Sequence, residues 1–398
     1  MKVIILTCEP FPDGMAAARR IECYARALMS AGMECEVVVY ARGGDHDDKS
    51  MISPRGFFKA VPYRYIGGSV TYSSRSFFRR IEFHYDLLAT DFYLRRHLTK
   101  GDILFLYMGR DPHIMLRFMK VAHDVGALCV RDLCELPYGT GSETSESIRL
   151  REKVFSEQFP MLDGVISISD ELMALAKRYT SPSCKHIKVP IMVDFNEFNL
   201  PDRSGEQDIP YIFHSGTLYE QKDGILGMIQ AFGLAVERIG LPVRFILTGY
   251  LDKSPHRDDI KKLIKDYRLE DRVVFKGYVS NEELLDLLSG ASLTIINKYT
   301  TQQNRYCFST KLGEYLSAGK PVIITRVGEA MNWVRDGESA YVVEPGDTEA
   351  LAVAIVRAFN DNDERKAISS KARIVARTCF DYTSWGRPLV SFMRSLGK

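Results

Sequence analysis

The sequence predicts an α/β protein made of two doubly wound parallel sheets in tandem. Short β-rich runs alternate with helical patterns along all 398 residues. Several runs are almost wholly apolar, which suits parallel strands buried on both faces. Residues 190–208, rich in Pro, Asp, Asn and Gly and without a sustained period, separate two series of such units. At roughly 150 residues per domain the length fits two or three domains.

In the first series the strands are expected at 3–7, 35–40, 103–107, 128–132, 165–169 and 186–189. Between the first two, Ile21, Tyr24, Ala25, Leu28 and Met29 recur at helical spacing over 16–31, and Gly32 is a fitting stop. That is one βαβ unit. The second series has strands at 211–214, 244–248, 273–275, 293–296, 322–325 and 341–343. Ser280 with Glu283 three residues on opens a helix over 281–288, and 348–359 is amphipathic. Open α/β sheets bind ligands beyond the carboxyl ends of their strands. Two such domains facing across a cleft would hold a small-molecule site between them.

Composition excludes several classes. Hydrophobic residues are 45% and charged residues 26%, ordinary for a globular chain. Lys plus Arg is 53 against 51 Asp plus Glu, a net charge of +2, so no nucleic-acid partner is expected. No apolar run approaches the ~18 residues of a membrane span, and Val3 to Leu6 is too short for a signal-peptide core. The eight cysteines form no CxxC pair and several sit in apolar runs, as free thiols do in a reducing cytosol. With the histidines scattered as well, no protein-bound metal is expected.

The motif search is also negative for dinucleotide, P-loop and nucleophile-elbow signatures. GxGxxG, GxxxxGK[ST] and GxSxG are absent, and Gly319-Lys320-Pro321 only echoes the second. Asp45-His46-Asp47 sits in a Gly- and Asp-rich stretch and reads as a solvated loop.

Three segments carry the candidate chemistry. In 306–322, Ser309 or Thr310 can cap a helix running to about Ser317 that Gly319 ends. Such an N-terminus can hold a phosphate. Lys311 in its first turn needs an anion nearby, and Glu314 a turn later can accept both hydroxyls of a ribose. In 214–224, Gly216 permits close backbone approach at a strand end, and Lys222 can neutralise a diphosphate. In 9–20, Pro10, Pro12 and Gly14 make the turn after the first strand, where phosphate or sugar is contacted; Arg19 and Arg20 follow as ordinary exposed basic residues. Read singly, each segment fits a solvated loop or plain amphipathic helix about as well.

Together these segments resemble the retaining GT-B glycosyltransferases of family 4, the glycosyl transferases group 1. The resemblance runs through the Gly14 loop, LDGVISISD (162–170), VPIMVDFNEF (189–198), GTLYEQKDG (216–224), ILTG (246–249), VVFKGYVSNEEL (273–284) and FSTKLGEYLSAGKPVI (308–323). It implies the GT-B architecture, with an acceptor-side domain over 1–198, a nucleotide-sugar domain over 206–378 and a C-terminal helix over 379–398 returning to the first domain. It implies a nucleoside diphosphate sugar as donor, no cofactor and no metal. Lys222 matches the lysine that holds the diphosphate, and Glu314 the second glutamate of the family's Glu-x7-Glu motif, which binds ribose. Thr310 and Lys311 would give backbone N–H groups to the leaving phosphate, with Ser309 beside them. Tyr278 and Val279 fall where the base packs, and Gly14, Gly216 and Gly249 line the substrate. Asp132 and Glu135 would orient the acceptor.

The departures fall at charged positions. The first glutamate of the motif is Tyr306, the arginine five residues before the lysine is Thr217, and the histidine-aspartate pair reads Arg131-Asp132. Either Lys311 or Arg131 compensates for the missing cation, or donor specificity has changed or activity is lost. The function implied is transfer of a hexose to a carbohydrate or lipid-linked acceptor in bacterial surface polysaccharide synthesis. The alternatives are a GT-B sugar-nucleotide epimerase and a non-catalytic glycosyltransferase-like scaffold.

Residues 55–100 interleave nine basic with eleven aromatic side chains. A helix is expected over 76–97, with Phe77, Ile81, Leu88, Phe92 and Tyr93 on one face, flanked by Arg79, Arg80, Arg95 and Arg96. Either these aromatics enter the core, or the helix makes a peripheral membrane contact at the inner face of the membrane. The protein is otherwise expected in the cytoplasm.

Overall fold

The structure is a computed structural model that describes residues 1–43, 52–107, 109, 111–139 and 144–397. Asp45-His46-Asp47 lies outside the described residues. The chain divides into two compact units, residues 1–192 with 382–398, and residues 193–381.

The first unit is an eight-stranded sheet flanked by helices. Its elements are β1 (Lys2–Thr7), α1 (Ala16–Ser30), β2 (Glu34–Val39), β3 (Arg55–Phe58), β4 (Val61–Tyr65), α2 (Ser76–His97), β5 (Ile103–Tyr107), α3 (Pro112–Asp124), β6 (Leu128–Leu133), α4 (Ser145–Lys153), β7 (Gly164–Ser167), α5 (Asp170–Tyr179) and β8 (Lys185–Lys188). The strand order is β3-β4-β2-β1-β5-β6-β7-β8. All pairings are parallel except β3 with β4. The β3–β4 hairpin escapes the sequence reading for a physical reason. Its two-residue turn is Lys59-Ala60, both at positive φ (44° and 68°), where the favoured residues are Asn and Gly.

The second unit holds α6 (Phe195–Phe198), β9 (Tyr211–His214), α7 (Glu220–Asp223), α8 (Ile225–Ile239), β10 (Arg244–Leu247), α9 (Arg257–Asp266), β11 (Val273–Phe275), α10 (Asn281–Gly290), β12 (Leu293–Ile296), α11 (Gln302–Tyr306), α12 (Thr310–Ser317), β13 (Val322–Thr325), β14 (Tyr341–Val343), α13 (Thr348–Asn360) and α14 (Asn362–Val375). Its sheet runs β11-β10-β9-β12-β13-β14, all parallel. Ser280 Oγ accepts the Glu283 amide at 3.1 Å at the start of α10, as its spacing suggests.

The chain then returns to the first unit as α15 (Tyr382–Ser395), which packs on α1. A Cβ on Gly386 would lie 2.6 Å from the Ala27 carbonyl oxygen, so only glycine lets the two helices approach this closely.

Each sheet has its own core. Ile5, Phe105, Val130 and Ile166 from four adjacent strands are fully buried in the first, with Tyr24 of α1 and Leu389 of α15 against them. Ile212, Phe245, Leu293 and Ile323 do the same in the second, against Phe232 of α8 and Ile355 of α13. The order reverses beside β1 in the first unit and beside β9 in the second, so the second unit's crevice opens at the carboxyl ends of β9 and β12.

Candidate active site

The crevice beside β9 gathers the charged residues of the second unit. His214 ends β9, and its Nδ1 donates to the Ile295 carbonyl on β12 at 2.9 Å. That bond leaves Nε2 as the acceptor, with no hydrogen-bond partner although buried. Burial, then repulsion from Lys311, lowers the His214 pKa to about 4, so the ring is neutral at pH 7. A Cβ on Gly216 would sit 2.6 Å from that Nε2 and 2.7 Å from Asp223 Oδ2. Glycine is therefore required there by the packing of two side chains.

Asp223 is the buried hub. Its Oδ2 accepts the Thr217 amide at 3.0 Å and the Thr217 hydroxyl at 3.1 Å, and its Oδ1 accepts Lys311 Nζ at 2.6 Å. Burial alone would raise this carboxyl, but the charge of Lys311 outweighs it and holds it well below the usual carboxylate range. The anion that a lysine in the first turn of α12 requires is thus supplied by the chain itself. Ser309 occupies the N-cap position of α12, as expected, but its hydroxyl makes no capping hydrogen bond. The first-turn amides of that helix therefore keep their positive end without a side-chain cap.

Lys222 sits in the single turn α7, which ends at Gly224 in the left-handed conformation (φ 61°). Asn297 Nδ2 donates to the Gly224 carbonyl at 2.8 Å, and a Cβ on Gly224 would collide with that amide at 2.5 Å. The turn is pinned to the end of β12, while the Lys222 side chain stays exposed, with no carboxylate paired to it among the described residues.

Lys298, one residue further along from Asn297, is the group the sequence reading missed. Its Nζ donates to the Lys222 carbonyl at 2.9 Å and to Asn304 Oδ1 at 3.4 Å. Asn304 in turn donates to the Gln221 and Tyr299 carbonyls at 3.4 and 3.0 Å. Burial, then repulsion from Lys311, lowers the Lys298 pKa to about 8. Three lysines from three separate segments thus converge on a crevice with one buried carboxylate. Lys298 carries no local motif; the available signal was its place just past a strand of the switch pair.

The remaining expected residues fall around this centre. Glu314 and Thr310 are half-buried on α12, and Tyr306 is half-buried at the end of α11. Gly249, at φ 101°, donates its amide to the Gly277 carbonyl at 2.7 Å, and a Cβ there would meet the Gly216 carbonyl oxygen at 2.2 Å. Beyond it the rings of Tyr250 and Tyr278 lie nearly parallel, 6.4 Å apart and largely exposed, with Val279 half-buried beside them.

In the first unit the expectations change. Asp132 is no free carboxylate for an acceptor. Its oxygens accept Arg20 Nε at 2.9 Å, Arg20 Nη2 at 3.0 Å and the Tyr24 hydroxyl at 2.7 Å, all buried. Arg20 is correspondingly not a surface residue; it also donates to the Pro190 carbonyl at 2.9 Å. A guanidinium in the core needs a fully committed carboxylate, and Asp132 is that partner. Arg131 is also buried, donating to Gln158 with its guanidinium 5.8 Å from the Phe159 ring centre. Burial lowers its pKa, and no carboxylate pairs with it among the described residues. Glu135 lies just beyond β6, half-buried. Gly14 is required by its turn: a Cβ would lie 2.6 Å from the Pro10 carbonyl oxygen.

His123, Cys129 and Asp163, scattered in sequence, do meet in this unit. Asp163 Oδ2 accepts the Cys129 amide at 2.7 Å and lies 3.3 Å from His123 Nε2, and burial pushes the Cys129 thiol far up. The three make a hydrogen-bonded corner of the fold. All eight cysteines are free thiols.

Two doubly wound parallel-sheet units of this kind are the fold of the GT-B glycosyltransferases. Residues 197–375, nearly the whole second unit, match the family model of the glycosyl transferases group 1. The chain is similar to the α-D-kanosaminyltransferase of Streptomyces kanamyceticus, 26% identical over 50% of this chain and 49% of that one. It is also similar to the O-antigen chain mannosyltransferase B of Escherichia coli, 24% identical over 69% of this chain and 70% of that one. The chain spans about half the length of the first of these relatives and 29% and 35% of two others. Among solved structures, Anabaena HepE in complex with UDP superposes over 100% of both chains with a TM-score of 0.72 at 17% identity. The same protein has been solved with UDP-glucose.

Proposed function

We propose that the protein is a retaining, metal-independent glycosyltransferase that uses a nucleoside diphosphate sugar as donor and a carbohydrate or lipid-linked glycan as acceptor, in bacterial surface polysaccharide synthesis. The observation that carries this is the gathering of Lys222, Lys298 and Lys311 around Asp223, with Lys311 in the first turn of the uncapped helix α12. That arrangement suits a diphosphate, with the helix amides and the lysines supplying positive charge in place of a cation. The activities of the two relatives, kanosaminyl transfer and O-antigen chain mannosyl transfer, support the same reading.

In this mechanism the sugar C1–O bond to the diphosphate breaks while the acceptor oxygen bonds C1 on the same face. The acceptor proton passes to the departing phosphate oxygen. Lys222 and Lys298 stabilise the charge that develops there, assisted by the Thr310 and Lys311 amides with Ser309 beside them. Asp223 holds Lys311 and Thr217 in place. Glu314 takes the ribose hydroxyls, and Tyr278 with Val279 receives the base. Gly216 and Gly249 let the strand ends beside the donor pack against His214, Asp223 and each other, and Tyr306 stands where a sugar-binding carboxylate would be. On the acceptor side, Gly14 shapes the first loop, Arg131 is buried and held by Gln158, and Asp132 acts as a positioning residue through Arg20.

The test is turnover of UDP-glucose by purified protein, with and without a chelator. Release of UDP that survives the chelator supports the reading. Conversion of the donor to a stereoisomer points to an epimerase instead, and binding without turnover to a scaffold.

A further inference from the structure

Helix α2 has two faces, and only one of them is buried. Leu87, Thr90, Tyr93 and Leu94 pack inward. Tyr93 does not join the outer aromatic face: its hydroxyl donates to Glu36 at 2.7 Å. On the opposite side Phe77, Ile81, Tyr85, Leu88 and Phe92 are 52–68% exposed. At about 100° per residue these five fall within an arc of roughly 80°, a continuous stripe along a helix about 33 Å long. A stripe of large apolar side chains left in water is unusual for a monomeric soluble surface.

The charges beside the stripe identify what covers it. Arg80 and Arg96 lie on its two edges, exposed, and no carboxylate pairs with either among the described residues. The acids of the helix are already neutralised: Glu82 and Asp86 by Arg42, and Asp91 by Arg117. Arg95 is paired with Asp124 at 2.9 Å. The edge is therefore cationic, with no free carboxylate on α2 to meet the same arginines of a second copy. No helix among the described residues is long and apolar enough to cross a membrane.

We propose that α2 lies in the plane of an anionic membrane surface, with Phe77, Ile81, Tyr85, Leu88 and Phe92 at the headgroup–acyl boundary and Arg80 and Arg96 on lipid phosphates. Aromatic and aliphatic side chains on one helix face suit that boundary, and basic residues near it are drawn to anionic headgroups. The inference is independent of the transferase reading, and its test does not use activity.

The full-length protein is floated with phosphatidylcholine vesicles, with and without phosphatidylglycerol. Binding is expected only to the anionic vesicles and to weaken as salt rises. Phe77→Glu, Leu88→Glu and Phe92→Glu should each abolish it, and Arg80→Gln and Arg96→Gln should each weaken it about fivefold at low salt. Because all five side chains are exposed, the thermal midpoint should not move. Absence of wild-type binding to anionic vesicles at low salt overturns the proposal, as does equal binding by the glutamate variants. A wild-type dimer in sedimentation that these variants convert to monomer, without vesicle binding, would assign the face to a second copy.

Discussion

Replacing Lys298 by Met removes one ammonium from the crevice while keeping most of the side chain's length and apolar stem. In the wild type that ammonium binds the Lys222 carbonyl at 2.9 Å and lies near Lys311 and Asp223. A hydrogen bond to a charged partner contributes about 1.5–3 kcal/mol. Lys298 is only partly enclosed, so a value near 2 kcal/mol is appropriate, or a roughly 30-fold loss of UDP affinity at 1.4 kcal/mol per tenfold. The assay is isothermal titration with UDP across pH. The Lys298 pKa, near 8 rather than the ordinary 10.5, sets the sign. The lysine is charged below pH 8 and loses its charge above it. Affinity should therefore hold level to about pH 7 and then fall, by at most about tenfold per unit, until the pKa of the bound state is passed. The Met variant should bind weakly with this fall removed. The Arg variant stays charged and should keep affinity with a level profile. A Met variant with wild-type affinity, or a wild-type fall that persists in it, would refute the assignment.

Lys222→Ala should lower transfer at least about a hundredfold, the usual loss for one preorganised charge at a developing oxyanion. Its side chain is exposed, so the unfolding midpoint should not shift; wild-type turnover would remove Lys222 from the site. Glu314→Ala should weaken UDP about 10- to 150-fold but leave pyrophosphate unaffected. The wild type should also discriminate against 2′-deoxy-UDP, and the variant should not. Asp132→Asn should act through folding. It leaves Arg20 buried without its carboxylate, which costs about 3–5 kcal/mol, and urea unfolding should show the loss in the first unit. A stable but inactive Asp132→Asn protein would restore Asp132 to direct contact with the acceptor.

The repeating α/β pattern and most strand positions were legible in the order of residues alone. Buried parallel strands are apolar throughout, and runs such as 103–107 and 293–296 have few other conformations that bury them. The helix carrying Lys311 and Glu314 was legible too, because apolar spacing and the terminal glycine act within a few residues, although the expected cap at Ser309 does not form. The β3–β4 hairpin was hidden because its turn uses Lys59 and Ala60, whose positive φ is sustained by the surrounding pairing rather than by their own preference. Which charges meet was set by the folded chain. Asp223 reaches Lys311 across 88 residues, Lys298 reaches the Lys222 carbonyl across 76, and Arg20 reaches Asp132 across 112. The outer face of α2 was undecided for a related reason. Helical spacing groups apolar residues, but whether a group faces core or solvent depends on what packs against it. Tyr93 faced inward because Glu36 on β2 was there to accept its hydroxyl. Local patterns are set by interactions within a turn or a strand. A site is set by the sheet order that brings distant strand ends together, and charge partners at that range leave no periodic trace in the chain.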